Sequence, residues 1–280
     1  MEFLFQKHLQ HAAQEPVLSR FSRLTDDNLS LTAMTEFQTE ALRAIVTRAY
    51  KHNAFYRKKM LQARVKPRDI KSLTDLAKLP FTTKDELRGK PWVLLAADKK
   101  DVSLINVSTG TTGGEEIYIM QTWRDHFLNE FSAGYKGLIE VEEGDIVINA
   151  LPYEMSSAGL AFHKVFMDSS EATVVNVGKG GAYSTPEKTV KVMRDLQPTV
   201  VITTPSYAVT IAEAAAQIGL DLTGLPLKKM FLTGEGCSPA FRQRVERIWG
   251  TKANFYYGSL ECGPLGIECD AHAGYHIPMG

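Results

Sequence analysis

Residues 199–219 read TVVITTPSYAVTIAEAAAQIG, and this stretch contains the repeating unit of the fold. TVVIT is a short β-branched run, which is typical of a strand buried on both faces of a sheet. The segment SYAVTIAEAAAQIG, residues 206–219, has the pattern of an amphipathic helix. A strand, a small hydroxyl-bearing turn and a helix together form the unit of an α/β protein.

The same unit recurs on both sides of this stretch. We predict strands at DIVINAL (145–151), ATVVNVG (172–178), KKMFLTG (228–234) and ANFYYG (253–258), and helices at TWRDHFLNEFSAGYKGL (122–138), AGLAFHKVFMDS (158–169), TPEKTVKVMRDL (185–196) and SPAFRQRVERIWG (238–250). Short apolar strands that alternate with amphipathic helices predict an α/β fold with a largely parallel sheet flanked by helices on both faces. We assign this α/β region to residues 101–280.

Residues 1–100 are predicted to form a helical N-terminal region. In EFQTEALRAIVTRAYKH, residues 36–52, the apolar side chains Phe37, Ala41, Ile45 and Ala49 recur on one face, with Leu42 and Val46 beside them. Ser72 with Asp75, and Thr83 with Glu86, are capping-box pairs that predict two further short helices.

The composition limits the kinds of partner. The chain has 280 residues, 44% of them apolar, and its 32 Lys and Arg balance its 32 Asp and Glu. This balance gives no reason to expect nucleic acid or a membrane surface as a partner. Three cysteines are too few for a disulfide framework, and no apolar run approaches 18 residues. We therefore expect a cytoplasmic protein with small-molecule partners.

A glycine-rich loop interrupts the chain between two apolar runs. Residues 107–120 read VSTGTTGGEEIYIM and contain four hydroxyl side chains and three glycines within seven positions. Glycines let a backbone approach a ligand closely, and successive N–H groups make an anion site. A polyphosphate is the predicted guest, and a tight turn between two strands is the alternative. The loop is neither a Walker loop nor GxGxxG.

Other candidate binding segments follow the predicted strands. In parallel sheets, ligands collect at the carboxyl ends of the strands. The segments at those ends are PYEMSSAG (152–159), TPSYA (204–208), GEGCSPA (234–240) and GSLECGPLG (258–266).

Four of these motifs, in this order, resemble the adenylate-forming superfamily of acyl-CoA synthetases, within it the phenylacetate-CoA ligase-like branch. They are STGTTGG (108–114), TTPSYA (203–208), LTGEG (232–236) and YGSLE (257–261). The segments HNAFYRKKM (52–60) and DIKSLTDLAKLPFTTKDELR (69–88) are similar to the N-terminal helices of that branch. The resemblance covers nearly the whole chain.

The resemblance implies a two-step reaction. A carboxylate, here a small or aromatic acid, attacks ATP to give an acyl-adenylate and pyrophosphate, and a thiol such as coenzyme A then takes the acyl group. Positioning and charge carry such chemistry. By this resemblance the phosphates are held by Ser108, Thr109, Gly110, Thr111, Thr112 and Gly113. Adenine is framed by Glu235, Gly236, Tyr257 and Gly258, and Mg²⁺ is bound by Glu261.

Further roles depend mainly on position. Tyr153, Phe162, His163 and Pro205 are predicted walls of the acyl pocket. Each residue also has a structural alternative: His163 as a hydrogen-bonded helix histidine rather than a base, Tyr257 as a core residue, and Glu261 as a surface carboxylate.

The sequence departs from the family pattern in three places. Glu115 and Glu116 follow the glycine loop, where their charges would repel a triphosphate unless they face away or meet a metal. Leu260 stands where a Thr or Ser is usual, so that Ser259 is the hydroxyl left to reach the phosphate. The family's ribose-binding Asp and mobile C-terminal domain would lie beyond Gly280. We therefore expect a fragment or truncated product that completes neither half-reaction well.

Two thiol hypotheses remain open. Some relatives in this branch hold zinc at the positions of Cys269 and His276 together with a downstream cysteine pair, which makes these residues candidate Zn²⁺ ligands. Cys237 precedes a predicted helix start, and such a position can lower a thiol pKa and create a nucleophile. A small residue tolerated in a loop is the favoured interpretation of Cys237.

Three functions therefore compete: the ligase, a nucleotide-binding remnant without turnover, and a Cys237-dependent acyltransferase. The sequence leaves the oligomeric state open, a homodimer included.

Overall fold

The computed structural model of the protein describes residues 30–108, 114–123, 125, 139–155 and 158–277. The described residues up to 125 form one compact unit, and those from 139 to 277 form a second.

The first unit begins with two helices, α1 (Leu31–His52) and α2 (Ala54–Gln62). Asn53 joins them. Its side chain caps α2 by accepting from the Tyr56 amide at 2.9 Å, and its own amide donates to the Val93 carbonyl oxygen at 2.8 Å. Asn53 is buried, so the joint between the helices is fixed by hydrogen bonds that water does not compete for.

The predicted face of α1 is only partly correct. Val46 is buried with Met60, Val65 and Ile70 in a small core, whereas Ile45 is 60% exposed. The core is narrow because only one short helix and a few turns cover α1. The helical prediction is confirmed, but the buried stripe is narrower than the sequence pattern implied.

Short helical turns follow at Pro67–Asp69, Leu73–Lys78 and Lys99–Asp101, with α3 at Lys84–Leu87. Both predicted capping boxes are present. The Asp75 carboxylate accepts from the Ser72 amide at 2.9 Å, and the Glu86 carboxylate accepts from the Thr83 amide at 2.8 Å. These contacts satisfy amides that a helix start would otherwise leave unpaired.

The first unit ends in an antiparallel hairpin of β1 (Val102–Val107) and β2 (Tyr118–Thr122), with Ile105 opposite Met120. The glycine-rich loop connects these two strands. The predicted helix at 122–138 lies almost entirely outside the described residues.

The second unit is built on a six-stranded sheet. Its strands are β3 (Ile146–Ala150), β4 (Thr173–Asn176), β5 (Val200–Thr203), β6 (Lys229–Leu232), β7 (Ala253–Ser259) and β8 (Gly263–Ile267). The spatial order is β4-β3-β5-β6-β7-β8, with β3 to β7 parallel and β8 antiparallel to β7. The predicted largely parallel sheet is confirmed.

One predicted loop is wrong. The segment GSLECGPLG at 258–266 is not a loop after β7, since most of it belongs to the β7–β8 hairpin, in which Gly258 pairs with Pro264 and Ser259 with Gly263. The sequence contains glycines and a proline, which suppress a strand prediction. An edge position next to β7 tolerates these residues, and pairing with β7 outweighs their low strand propensity.

Helices cover both faces of the sheet. They are α4 (Ala158–Lys164), which continues into a π-helical turn at Val165–Ser169, α5 (Pro186–Leu196), α6 (Pro205–Gln217) and α7 (Pro239–Trp249). Helices α5 to α7 pack on one face with Ile211, Val245 and Trp249 in the core, and α4 packs on the other with Phe162 and Phe166. Each of α5 to α7 starts with a Thr or Ser cap followed by proline, so the strand-to-helix turns are sharply defined.

Ion pairs hold the amino ends of the strands. Lys228 contacts Asp145 at 2.7 Å, and Lys229, which is buried, contacts Asp270 at the same distance. Burial opposes the charge on Lys229, but its carboxylate partners outweigh that cost and raise its pKa. The amino ends of the strands therefore carry an ion-pair network beside an open pocket, and the carboxyl ends carry the loops that lead into the helices. Within the described residues no helix combines the length and apolarity that a bilayer span requires.

We predict that Ile211→Ala lowers the free energy of unfolding by about 2–5 kcal/mol, because Ile211 is fully buried between α6 and the sheet. Urea unfolding measures this change. Glu213→Ala on the exposed face of the same helix is the control and should change stability by no more than about 0.5 kcal/mol. Equal losses in both variants would show that α6 does not pack as described.

Candidate functional site

The strand order reverses between β3 and β5. The chain leaves β3 for β4 on one side and then returns to β5 on the other. In such sheets the crevice at the carboxyl ends of the two central strands is the usual ligand site. As their sequence predicted, segments 152–155, 204–208 and 234–240 follow β3, β5 and β6 at this end of the sheet. Residues 205–208 form the first turn of α6 rather than a loop.

Tyr153 and His163 meet beside the end of β3. The Tyr153 hydroxyl lies 3.1 Å from His163 Nδ1, and burial raises the pKa of Tyr153 to about 12, so the phenol stays protonated. Gly159 makes this arrangement possible, since a Cβ there would lie 2.7 Å from the Tyr153 ring. The buried Asn149 amide donates to the Gly159 carbonyl at 2.9 Å and fixes the loop to β3.

The other two predicted acyl-pocket residues lie in packed surroundings. Phe162 is 8% exposed, with its ring centroid 4.6 Å from that of Tyr256. Pro205 is buried at the first position of α6. Their role in binding an acid stays a prediction.

Glu235 ties three loops together. Its carboxylate accepts from Lys179 Nζ at 2.6 Å, from the Ser206 hydroxyl at 2.8 Å and from the Ser206 amide at 3.0 Å. Partial burial would raise the pKa of Glu235, but these donors outweigh it and hold the pKa below its usual range. The loops after β4, β5 and β6 are thus joined at one carboxylate, which sits at the N-terminus of α6 where a negative charge is favoured.

A cleft of about 390 Å³ opens beside Glu235. It is lined by residues 234–237 after β6, by residues 255–258 of β7, and by Arg242, Glu268 and Tyr275. We call it the tyrosine cleft, because Tyr257 and Tyr275 are its two exposed aromatic side chains. It brings together the four predicted adenine-framing residues Glu235, Gly236, Tyr257 and Gly258, whose roles remain predictions.

No sequence motif marks Arg242, Glu268 or Tyr275 as a site residue. Arg242 Nη1 contacts both oxygens of Glu268, at 3.2 and 3.0 Å, and both side chains are at most 15% exposed. Glu268 also accepts from the Phe255 amide at 2.9 Å, which fixes the ion pair to β7. An Arg in an amphipathic helix and a Glu after a strand are common, and only the fold shows that they meet.

Cys237 lies in the tyrosine cleft without the properties of a nucleophile. Burial raises the pKa of the Cys237 thiol, and the opposing effect of Arg242 does not offset it. The hypothesis of a thiol activated by the following helix therefore has no support, in line with the favoured interpretation of Cys237 as a small loop residue. The pKa of the Cys237 thiol is raised because desolvation disfavours the thiolate.

Glu261 lies in the turn between β7 and β8 and is exposed. The neighbouring Ser259 hydroxyl accepts from the Cys262 amide at 3.0 Å. This bond shapes the turn and leaves the Ser259 hydroxyl proton available for another acceptor. Magnesium ligation by Glu261 stays a prediction.

In the first unit, Ser108 closes the β1–β2 hairpin. Its amide donates to the Ile117 carbonyl at 2.9 Å, and its hydroxyl accepts from the Ile117 amide at 3.2 Å. The Glu115 carboxylate packs against the backbone of Gly89, where a Cβ would lie within 3 Å of it. The remaining phosphate-loop residues Thr109, Gly110, Thr111, Thr112 and Gly113 lie outside the described residues.

The structure gives no support for zinc. In the part of the chain that it describes, no three His, Cys, Asp or Glu side chains lie close enough together to hold a metal ion. Cys269 and His276 are both described, and Cys269 is a free thiol. These two residues alone would bind zinc weakly.

We predict that Glu235→Gln lowers stability at pH 7 and that this loss shrinks at pH 3.5. A carboxyl whose pKa is depressed in the folded state stabilises the protein above its unfolded pKa, near 4.5, and loses that contribution as the pH falls through the folded value. Urea unfolding of wild type and variant at the two pH values measures the difference. Glu213→Gln, an exposed helix carboxylate, is the control. A Glu235→Gln difference that does not change with pH would contradict the assigned ion pair.

The curated proteins that match the chain by sequence are phenylacetate-coenzyme A ligases. No family model matches the chain. The phenylacetate-coenzyme A ligase of Thermus thermophilus is 31% identical over 259 residues, which cover 90% of this chain and 56% of that protein. The phenylacetate-coenzyme A ligase of Escherichia coli is 31% identical over 248 residues, covering 87% and 55%.

The fold agrees with these sequence matches. A structure of 2-hydroxyisobutyryl-CoA ligase superposes with a TM-score of 0.75 at 19% identity, covering 86% of this chain and 54% of that one. The chain spans about half the length of the curated relatives that it matches. By sequence the chain is therefore similar to the phenylacetate-CoA ligases over about half of their length, and its fold is similar to that of 2-hydroxyisobutyryl-CoA ligase.

Proposed function

We propose that the protein takes part in the ATP-dependent activation of a small or aromatic carboxylic acid to an acyl-adenylate, followed by transfer to the thiol of coenzyme A. One observation carries the proposal. Residues from two of the ordered motifs that resemble adenylate-forming enzymes, 234–236 of LTGEG and 257–258 of YGSLE, line the same cleft at the carboxyl ends of the parallel strands.

The tyrosine cleft suits a nucleobase. Gly234, Gly236 and Gly258 line it, and at these three positions a flat ring can approach the backbone closely. Tyr257 is 52% exposed and supplies an aromatic surface for stacking. Adenine is therefore proposed to bind between the glycine backbone and the Tyr257 ring.

The acid is proposed to bind near Tyr153 and His163. This pair lies beside the end of β3, where the strand order reverses. It combines the apolar Tyr153 ring with two polar atoms, the Tyr153 hydroxyl oxygen and His163 Nδ1. An aromatic acid such as phenylacetate, which the names of the relatives contain, is the first acid to test. Orienting the acid and ATP is the main catalytic task, because the displacement at phosphorus needs little covalent help from the protein.

The glycine loop and Glu261 are proposed to serve the phosphates. Loop residues 108–113 would supply amide and hydroxyl donors, and Glu261 would hold Mg²⁺, a cation that prefers carboxylate and phosphate oxygens. Packing of Glu115 against Gly89 supports this role, because it directs one of the two loop carboxylates at the protein backbone. The three free cysteines are consistent with a reducing compartment, and we place the activity in the cytoplasm.

A nucleotide-binding protein without turnover is the second candidate. Leu260 favours it, since it stands where the resemblance leads one to expect a hydroxyl that reaches the phosphate. The acyltransferase that would use Cys237 has less support, because the raised thiol pKa disfavours a thiolate at neutral pH.

The test is carboxylate-dependent exchange of labelled pyrophosphate into ATP. We expect exchange with phenylacetate and at least about a tenfold loss of ATP affinity in Gly236→Val, since stacking of a base on one aromatic ring is worth an effect of that size. A Cβ at Gly236 meets nothing within 4 Å, so the valine should fill the cleft without disturbing the fold.

Gly224→Val is the matched control for this experiment. Gly224 also has open space around it and lies on an exposed turn away from the cleft, so its replacement should leave ATP affinity unchanged. ATP binding without exchange would favour the non-catalytic candidate. Unchanged ATP affinity in Gly236→Val would remove the tyrosine cleft from the nucleotide site.

We also predict that Glu261→Gln weakens ATP binding in the presence of Mg²⁺ by about tenfold and has little effect in its absence, because loss of one charged ligand weakens a hard-cation site. Calorimetric titration with ATP, with and without Mg²⁺, separates the two effects. Equal losses under both conditions would argue against metal binding by Glu261.

A further inference from the structure

Tyr275 lines the tyrosine cleft, and backbone pairing of the neighbouring His276 with the end of β8 fixes its position. The Ile267 amide donates to the His276 carbonyl at 3.0 Å, and the His276 amide donates to the Ile267 carbonyl at 2.8 Å. Gly266 provides the necessary space, since a Cβ there would lie 2.8 Å from the Cβ of Tyr275. The position of Tyr275 is thus set by backbone pairing and close packing rather than by a flexible tail.

Tyr275 and Tyr257 together form an exposed aromatic pair. Their ring centroids lie 5.8 Å apart with the ring planes inclined by 45°, and the two side chains are 43% and 52% exposed. Core packing does not explain two large rings that stay half exposed on the same cleft. An arrangement of this kind offers a planar ligand apolar contact from two directions.

The rest of the cleft leaves stacking as the main means of recognition. Arg242 and Glu268 line it, but each is the other's charged partner. Glycine backbone forms much of the remaining wall. The contribution that this cleft can add to binding is therefore mainly aromatic surface, and its two exposed rings are those of Tyr257 and Tyr275.

We propose that Tyr275 is a second base-binding residue, which stacks on the nucleobase together with Tyr257 and sets the affinity for the base rather than for the phosphates. This inference rests on the proposed nucleotide site and adds to it a residue that the motifs did not contain. Removal of the Tyr275 ring weakens binding of any ligand that carries the base and leaves binding of pyrophosphate unchanged.

The test is calorimetric titration of AMP and of inorganic pyrophosphate into wild type and four variants. Tyr275→Ala and Tyr275→Leu should each bind AMP about tenfold more weakly, as expected for the loss of one stacking ring, while Tyr275→Phe stays within about twofold of wild type. Tyr275→Leu keeps apolar bulk over Gly266 and decides the question if the alanine variant fails to fold. Tyr183→Ala removes a tyrosine that is 90% exposed outside the cleft and should have no effect.

The outcomes separate the two proposals. Unchanged AMP affinity in Tyr275→Leu, with a loss in Gly236→Val, would overturn the role of Tyr275 and leave the nucleotide site standing. Equal losses of AMP and pyrophosphate affinity would also overturn it, since they indicate general damage. Wild-type protein that binds neither AMP nor ATP would overturn the proposed function and this inference with it.

Discussion

The parallel sheet of the second unit must be covered on both faces, and the rest of that unit follows from this constraint. Strands β3, β5 and β6 are fully or almost fully buried, so most of their side chains are apolar, and the polar exceptions Asn149, Thr203 and Lys229 lie at or next to strand ends. A polar side chain without a hydrogen-bond partner in the middle of such a strand would have a large desolvation cost. Polar groups are therefore concentrated at the ends of the strands. Ion pairs of Lys228 and Lys229 lie at the amino ends, and the loops lie at the carboxyl ends.

Glu235 fixes the positions of the segments after β4, β5 and β6 relative to one another. One carboxylate accepts hydrogen bonds from Lys179, in the loop after β4, and from Ser206, in the first turn of α6, while the loop after β6 carries Glu235 itself. The Arg242–Glu268 pair plays a comparable part on the other side of the cleft by joining α7 to β7. A binding cleft whose walls come from different loops needs such joints, because each loop alone would have many conformations.

The sequence was sufficient to predict the alternation of strands and helices, because buried β-branched runs and amphipathic helices have distinct periods. It also placed Glu235, Gly236, Tyr257 and Gly258 on one cleft through their motifs. It missed β8, whose glycines and proline hide an edge strand, and it gave Ile45 a buried position that the thin cover of α1 does not provide. Tyr275, Arg242 and Glu268 carry no local signal. Their proximity depends on the pairing of Ile267 with His276 and on the contact of Arg242 in α7 with Glu268, neither of which a sequence pattern reveals.

The central claim is that residues 234–237 and 255–258 form one nucleotide site. Amide hydrogen exchange in the presence and absence of ATP and Mg²⁺ tests it most directly, since a bound nucleotide slows the opening of the backbone that it covers. The account predicts increased protection in both segments together, with little change at the amino ends of the strands around Asp145 and Lys228. Protection in only one of the segments, or in neither while ATP is bound, would contradict it.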